Sequence, residues 1–175
     1  MALGNAGDGV GHGMSGTLPI ETLTPALFAP FGDVLEAVGP ADRLINGGLC
    51  GRFHDLARLD FRDGRAGISI FSAEPRTIPY ELGMMERHPL GSQAFLPMVL
   101  HPFLVVVAED EGGRPGTPRA FLTTPGQGVN YHRNVWHGVL TPLHEPGLFA
   151  VIDRIGPNDA ANLEEHHFAE PWIVQ

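Results

Sequence analysis

The chain has 175 residues, 43% hydrophobic and 18% charged, which is enough apolar material for one domain with a sizeable core and too little charge for a disordered polymer. Its 20 acidic residues face 11 basic ones, all arginine, for a net charge of −9, and this repulsion excludes a general role on nucleic acid or an anionic membrane surface. With no lysine, Schiff-base chemistry, a pyridoxal phosphate anchor and a P-loop are excluded as well.

In chain order, residues 1–16 (MALGNAGDGVGHGMSG) are dominated by Gly and carry no apolar period, so a flexible tail is expected there, with a single domain over 17–175. Thr24 followed by Pro25 reads as a helix cap and first helical position, and Pro30 and Gly32 confine that helix to a short one. From Asp33 the chain becomes a series of short apolar runs, DVLEAV, GISIFSA, TIPYEL, AFLPMVL, FLVVVAED, RAFLTT, VNYHRNVWHGVL and LFAVIDR, separated by turn residues drawn from 23 Gly and 16 Pro. No helical stretch of useful length lies between them. The pattern predicts an all-β sandwich or barrel rather than βαβ units, with one more brief helix near Asn158 and Asp159. Phe103–Ala108 is the longest uninterrupted apolar run, far short of the roughly 20 residues of a membrane span. The first arginine is Arg43, which leaves no basic start for a signal peptide, and the lone Cys50 allows no internal disulfide, so a reducing, cytoplasmic setting is expected. Cys50 itself reads as a small buried residue.

The densest polar stretch is Glu86-Arg87-His88-Pro89-Leu90-Gly91-Ser92-Gln93. Side chains alternate along a strand, so Glu86 and His88 share one face and Arg87 takes the other. After the turn through Pro89 to Gly91, Gln93 starts the next run and returns to the same interior. This spacing resembles the first motif of the cupin superfamily, His-x-His followed by a Glu, with Glu86 in place of the first His and Gln93 in place of the Glu. Gly126, His132-Arg133-Asn134 and His137 resemble the second cupin motif, with Asn134 at the turn glycine, a place where Asn tolerates a left-handed backbone. The two motifs together imply a cupin-like double-stranded β-helix barrel with short flanking helices.

ERHPLGSQAFLPM (86–98) and QGVNYHRNVWH (127–137) resemble the signature blocks of the ureidoglycolate lyase family. Supporting blocks are Ile45-Asn46-Gly47-Gly48, Arg52-Phe53-His54-Asp55-Leu56-Ala57, Arg119-Ala120-Phe121 and Ile152-Asp153-Arg154, so the resemblance runs from about Pro19 to Arg154. It implies a cupin-like homodimer that splits ureidoglycolate into glyoxylate and urea during allantoin breakdown.

That substrate is a hemiaminal carrying a carboxylate, a hydroxyl and a ureido nitrogen on one carbon. Its cleavage needs a base for the hydroxyl proton, an acid or polarising group for the departing urea and a partner for the carboxylate. Glu86, His88, Gln93 and His137 are the expected catalytic residues. The two histidines or Glu86 would carry the proton, and Gln93 would orient substrate. Asn46, Asn130 and Tyr131 are expected to bind the urea group, and Arg154 to fork onto the carboxylate, although an Asp153–Arg154 ion pair is the competing reading. The same Glu86, His88, Gln93 and His137 would hold a divalent ion weakly; the resemblance suggests nickel, and an enzyme without a cofactor is the other reading. His54-Asp55 reads as a loop or dimer contact, and Glu164 to His167 as a solvated charge run. A metal-dependent cupin of another type, such as an ammonia-releasing amidohydrolase or an isomerase, and a non-catalytic small-ligand binder stay open.

Overall fold

The computed structural model describes residues 16–175. The expected tail at 1–16 lies, apart from Gly16, outside the described residues. The elements are β1 (Thr17–Leu18), β2 (Ile20–Thr22), α1 (Pro25–Phe28), β3 (Gly32–Leu35), β4 (Arg43–Ile45), β5 (Cys50–Arg52), β6 (Arg65–Ala73), β7 (Tyr80–Arg87) and β8 (Gln93–Pro97). They continue with β9 (Phe103–Ala108), β10 (Arg119–Leu122), β11 (Gly128–Tyr131), β12 (Trp136–His137), β13 (Thr141–Pro142), β14 (Gly147–Ile155) and β15 (Glu164–Val174). Single 3-10 turns occupy Asn46–Gly48 and Asp159–Asn162.

The chain is nearly all β. One sheet runs β1-β15-β7-β12-β9-β10-β2, with β13 also on β9, and because only Pro19 separates β1 from β2 this sheet curls almost into a closed barrel. A second sheet, β3-β11-β8-β14-β6, lies against it. The run Phe103–Ala108 becomes β9, buried along its whole length because both faces are covered. Phe103, Val105 and Val107 join Phe95, Phe121, Val129, Phe149 and Val151 in the core between the sheets. Leu104, Val106 and Ala108 join Leu82, Met85, Trp136 and Trp172 in a second core on the opposite face of the curled sheet. α1 is capped as its sequence predicts: the Thr24 side chain accepts a hydrogen bond from the Leu27 N–H at 3.3 Å, and Phe28 is driven into the inter-sheet core.

Two sequence expectations need correction and a third is extended. Glu164 to His167 are mostly exposed, as a solvated charge run should be, yet they open the longest described strand, β15, which pairs antiparallel with β7 and buries Trp172 and Val174. The turn before it is a 3-10 turn preceded by Asn158 in a left-handed conformation at φ 59°, with no side-chain cap. Cys50 is exposed, because the β4–β5 hairpin exposes every residue of both strands. Asn134 does adopt the left-handed backbone its position requires, at φ 67°.

Candidate active site

His137 and Glu86 are direct cross-strand partners on β12 and β7. Since Trp136 packs into the second core, alternation turns His137 toward the space between the sheets, where its ring stacks on Tyr131 at 4.3 Å between centroids and 1° between planes. Met85 likewise enters the second core, and Glu86 faces the other way. Arg87 returns to the Trp136 side, lies over the indole at 4.5 Å, and pairs with Asp110 and Glu164 at 2.7 and 2.6 Å. His88, just beyond β7, rejoins the Glu86 face; its ring sits 5.2 Å from that of His137, and its Nε2 lies 3.9 Å from Glu86 Oε1.

Both imidazoles have their tautomer set by a carbonyl. His137 Nδ1 lies 3.0 Å from the Gly138 carbonyl oxygen and His88 Nδ1 lies 2.8 Å from that of Asn162. A carbonyl only accepts, so each Nδ1 carries a proton and donates it, which leaves each Nε2 facing the site. Both Nε2 atoms are buried and without a partner. Burial, reinforced by the nearby His88 and opposed by the Gly138 bond, lowers the His137 pKa to about 3, so His137 is neutral at physiological pH. Burial raises the Glu86 carboxyl, with His88 acting against that shift and Glu165, opposite it on β15, adding to it. Burial and the Glu86 charge hold the Tyr131 phenol well above its usual range, so it stays protonated.

Glu86, His88 and His137 each offer a ligand atom, all within 4.8 Å of one another. One carboxylate and two imidazoles whose Nε2 atoms are unpartnered fit a divalent cation of the first transition row. Both rings are held in orientation for such an ion, because each Nδ1–H is bonded to a backbone oxygen. Gln93, at the start of β8 and paired in register with Tyr131, brings a buried and unpartnered Oε1 to the opposite wall.

The structure thus gathers Glu86, His88, Gln93, Tyr131 and His137, and it leaves three expected substrate ligands elsewhere. Asn46 sits at the exposed tip of the β4–β5 hairpin with φ 54°. Asn130 is fully buried but faces away from Tyr131, as neighbouring strand residues must; its amide donates to Asp33 Oδ2 at 2.9 Å and to the Arg58 carbonyl at 3.2 Å. Arg154 is not paired with Asp153. Its guanidinium, 1% exposed, donates to the carbonyls of Arg62, Asp63 and Pro157 at 2.6, 2.8 and 2.9 Å, clamping two loops. On the outer face of β11, His132 Nε2 lies 3.2 Å from Asp33 Oδ1, and Arg133 holds Asp60 at 2.8 Å beside a cavity of about 200 Å³ that Arg58 also lines.

Two residues of the site stand outside the expected set, although Asp153 lies in the Ile152-Asp153-Arg154 block. Asn162 holds His88 by its carbonyl and accepts from the Leu90 N–H with its side chain at 2.8 Å, and no local pattern announces it. Asp153 faces the site from β14, and alternation from Phe149 and Val151, both core residues, was signal enough to find it.

The family model for ureidoglycolate lyase matches residues 15–175. The chain is 62% identical over 159 residues to the ureidoglycolate lyase of Rhodobacter capsulatus, covering 90% of this chain and 98% of the relative. It is 54% identical over 160 residues to ureidoglycolate lyase 2 of Rhizobium meliloti, covering 90% and 97%. It is also 54% identical over 156 residues to the ureidoglycolate lyase of Chelativorans sp., covering 88% and 93%. The matched region reaches residue 175, past the Arg154 limit of the sequence blocks, and so takes in Asn162 and β15.

Proposed function

The chain belongs to the ureidoglycolate lyase family, and from that premise we propose that its Glu86, His88 and His137 cluster splits ureidoglycolate into glyoxylate and urea. The observation that carries this reading is the convergence of a carboxylate with raised pKa and two carbonyl-oriented histidines in one cluster whose ligand atoms lie within 4.8 Å of one another. The reaction consumes no water. The hydroxyl proton leaves as its oxygen becomes the glyoxylate carbonyl, the C–N bond breaks, and a proton is placed on the departing urea nitrogen.

Glu86 suits the transfer in both directions, since a carboxylate lifted toward neutrality is a better base and, once protonated, still an acid. His137 does not, because a group with a pKa near 3 is a poor carrier of protons at pH 7. Its role is that of a lone-pair donor. The substrate is anionic, and the arginines closest in sequence are largely engaged: Arg87 with Asp110 and Glu164, Arg133 with Asp60, and Arg154 with carbonyls through Nε and Nη2, its Nη1 lying 3.9 Å from Asp159. We therefore propose that the Nε2 atoms of His88 and His137, joined by Glu86 only while it is unprotonated, would hold a divalent cation weakly, and that such a cation would supply Lewis acidity toward the anionic substrate. Tyr131, held protonated and stacked on His137, fixes that ring in place.

A homodimer is the proposed working state. β6 is the edge of its sheet for nine residues, and Ile68 and Ile70, 77% and 59% exposed, stand on the face away from the core. An edge strand paired with its own copy about a two-fold axis needs one surface only. Light scattering should give twice 18.8 kDa for the parent and the monomer mass for Ile70→Lys; a parent of monomer mass would refute the dimer.

The reaction is tested by incubating the purified protein with ureidoglycolate and measuring urea, glyoxylate and ammonia separately. Equal urea and glyoxylate with no ammonia is the expected result. Ammonia as the first nitrogen product refutes the lyase and favours an amidohydrolase.

A further inference from the structure

Opposite the Glu86, His88 and His137 wall, β8 and β14 run antiparallel with Phe95 facing Val151 and Ala94 facing Ile152. The next pair along that register is Gln93 and Asp153, on the face that carries Phe95 and Val151 into the inter-sheet core. Burial raises the Asp153 carboxyl, and the Gln93 amide acts against that shift as a hydrogen-bond donor; the donor is Nε2, so Oε1 is the end turned away from Asp153. Gln93 Oε1 and Asp153 Oδ1 are both buried with no partner. Two adjacent unpaired acceptors, buried on the wall that faces His88, call for donors from whatever binds there.

Ureidoglycolate has two unlike ends. Its carboxylate and hydroxyl oxygens suit the opposite wall and would be repelled by Asp153, whereas its ureido group carries three N–H donors. The geometry points to Asp153, oriented with Gln93, as the residue that reads the ureido end of the substrate and so sets specificity for a terminal carbamoyl amine. This assignment rests on the reaction proposed above and extends it to the orientation of the bound substrate. Asp153 leaves the covalent steps to the facing wall.

The test compares two non-cleavable ligands by calorimetry on the parent and on Asp153→Asn. N-carbamoylglycine keeps the carboxylate and the ureido group; N-acetylglycine replaces the terminal amine by a methyl. The parent should prefer the former by about tenfold or more, because a site built around hydrogen bonds rejects a ligand that leaves them unmade. Asp153→Asn, which exchanges an acceptor for a donor, should lose that preference while N-acetylglycine affinity stays within about threefold. Asp153→Leu, of similar shape and with no acceptor, should do the same and keeps the test alive if the first variant folds poorly. Preference retained in the folded variants overturns the assignment, as does an equal loss for both ligands. A parent that releases urea and glyoxylate yet binds both analogues alike overturns the Asp153 assignment alone. A parent that releases no urea overturns the reaction instead.

Discussion

The neutral state of His137 makes a quantitative statement about stability against pH. In the unfolded chain its imidazole titrates near 6.5, and in the folded protein not until about 3, so between those values the unfolded state binds the extra proton and stability falls as pH drops. At pH 5 the gap from 6.5 is 1.5 units, or about 2 kcal/mol at roughly 1.36 kcal/mol per unit, whereas at pH 7 the effect has nearly vanished. The residue is 2% exposed, so solvent screening takes little from that figure. His137→Gln removes the titration and leaves the carboxylates of the rest of the chain unchanged. Urea unfolding of parent and variant at pH 7 and pH 5, both stripped of divalent ions, isolates the histidine as a difference of differences. The parent should lose about 2 kcal/mol more than the variant over that interval. Parallel losses would refute the claim that burial keeps His137 neutral, and with it the reading of Nε2 as a free lone pair.

Glu86→Gln keeps the shape of the side chain and removes its basicity, so kcat should fall by about 10²–10⁴-fold with the melting temperature held or raised; a kcat within a few-fold of the parent removes Glu86 from the proton transfer. Because its carboxyl is raised by burial, the acidic limb of the parent's kcat/KM profile should lie above the ordinary glutamate range, and a limb at or below that range contradicts this role. Dialysis against a chelator should lower activity and readdition of a divalent ion should restore it; unchanged activity after stripping contradicts the cation site. Arg154→Met should cost about 1–3 kcal/mol of stability, since the carbonyls of Arg62, Asp63 and Pro157 lose their charged donor, with kcat/KM of the folded fraction nearly unchanged. A selective rise in KM at full stability would return Arg154 to the substrate.

The barrel and the central cluster were legible because both depend on short-range regularities. Alternation along Met85-Glu86-Arg87-His88 separates core, site and surface residues one by one, and Gly and Pro between short apolar runs mark strand ends. The same rule, applied to Asn130-Tyr131 and Asp153-Arg154, would have admitted only one member of each pair to the site. Asn130 and Arg154 have the chemistry of substrate ligands, but the pleat turns them to the side opposite Tyr131 and Asp153. β15 was hidden because Glu164, Glu165 and His167 are exposed, and the strand is revealed by its pairing with β7 rather than by its own composition. Asn162 acts through a backbone carbonyl, which every residue possesses, so side-chain chemistry carried no sign of it. The exposure of Cys50 is likewise a property of the hairpin that holds it.

The account stands most directly on where the substrate binds. A crystal structure of the protein with N-carbamoylglycine should show the carboxylate end at Glu86, His88 and His137, and the ligand held between the two sheets. Density instead in the outer cavity beside Arg58, Asp60, His132 and Arg133, with the inter-sheet pocket holding only solvent, would contradict it.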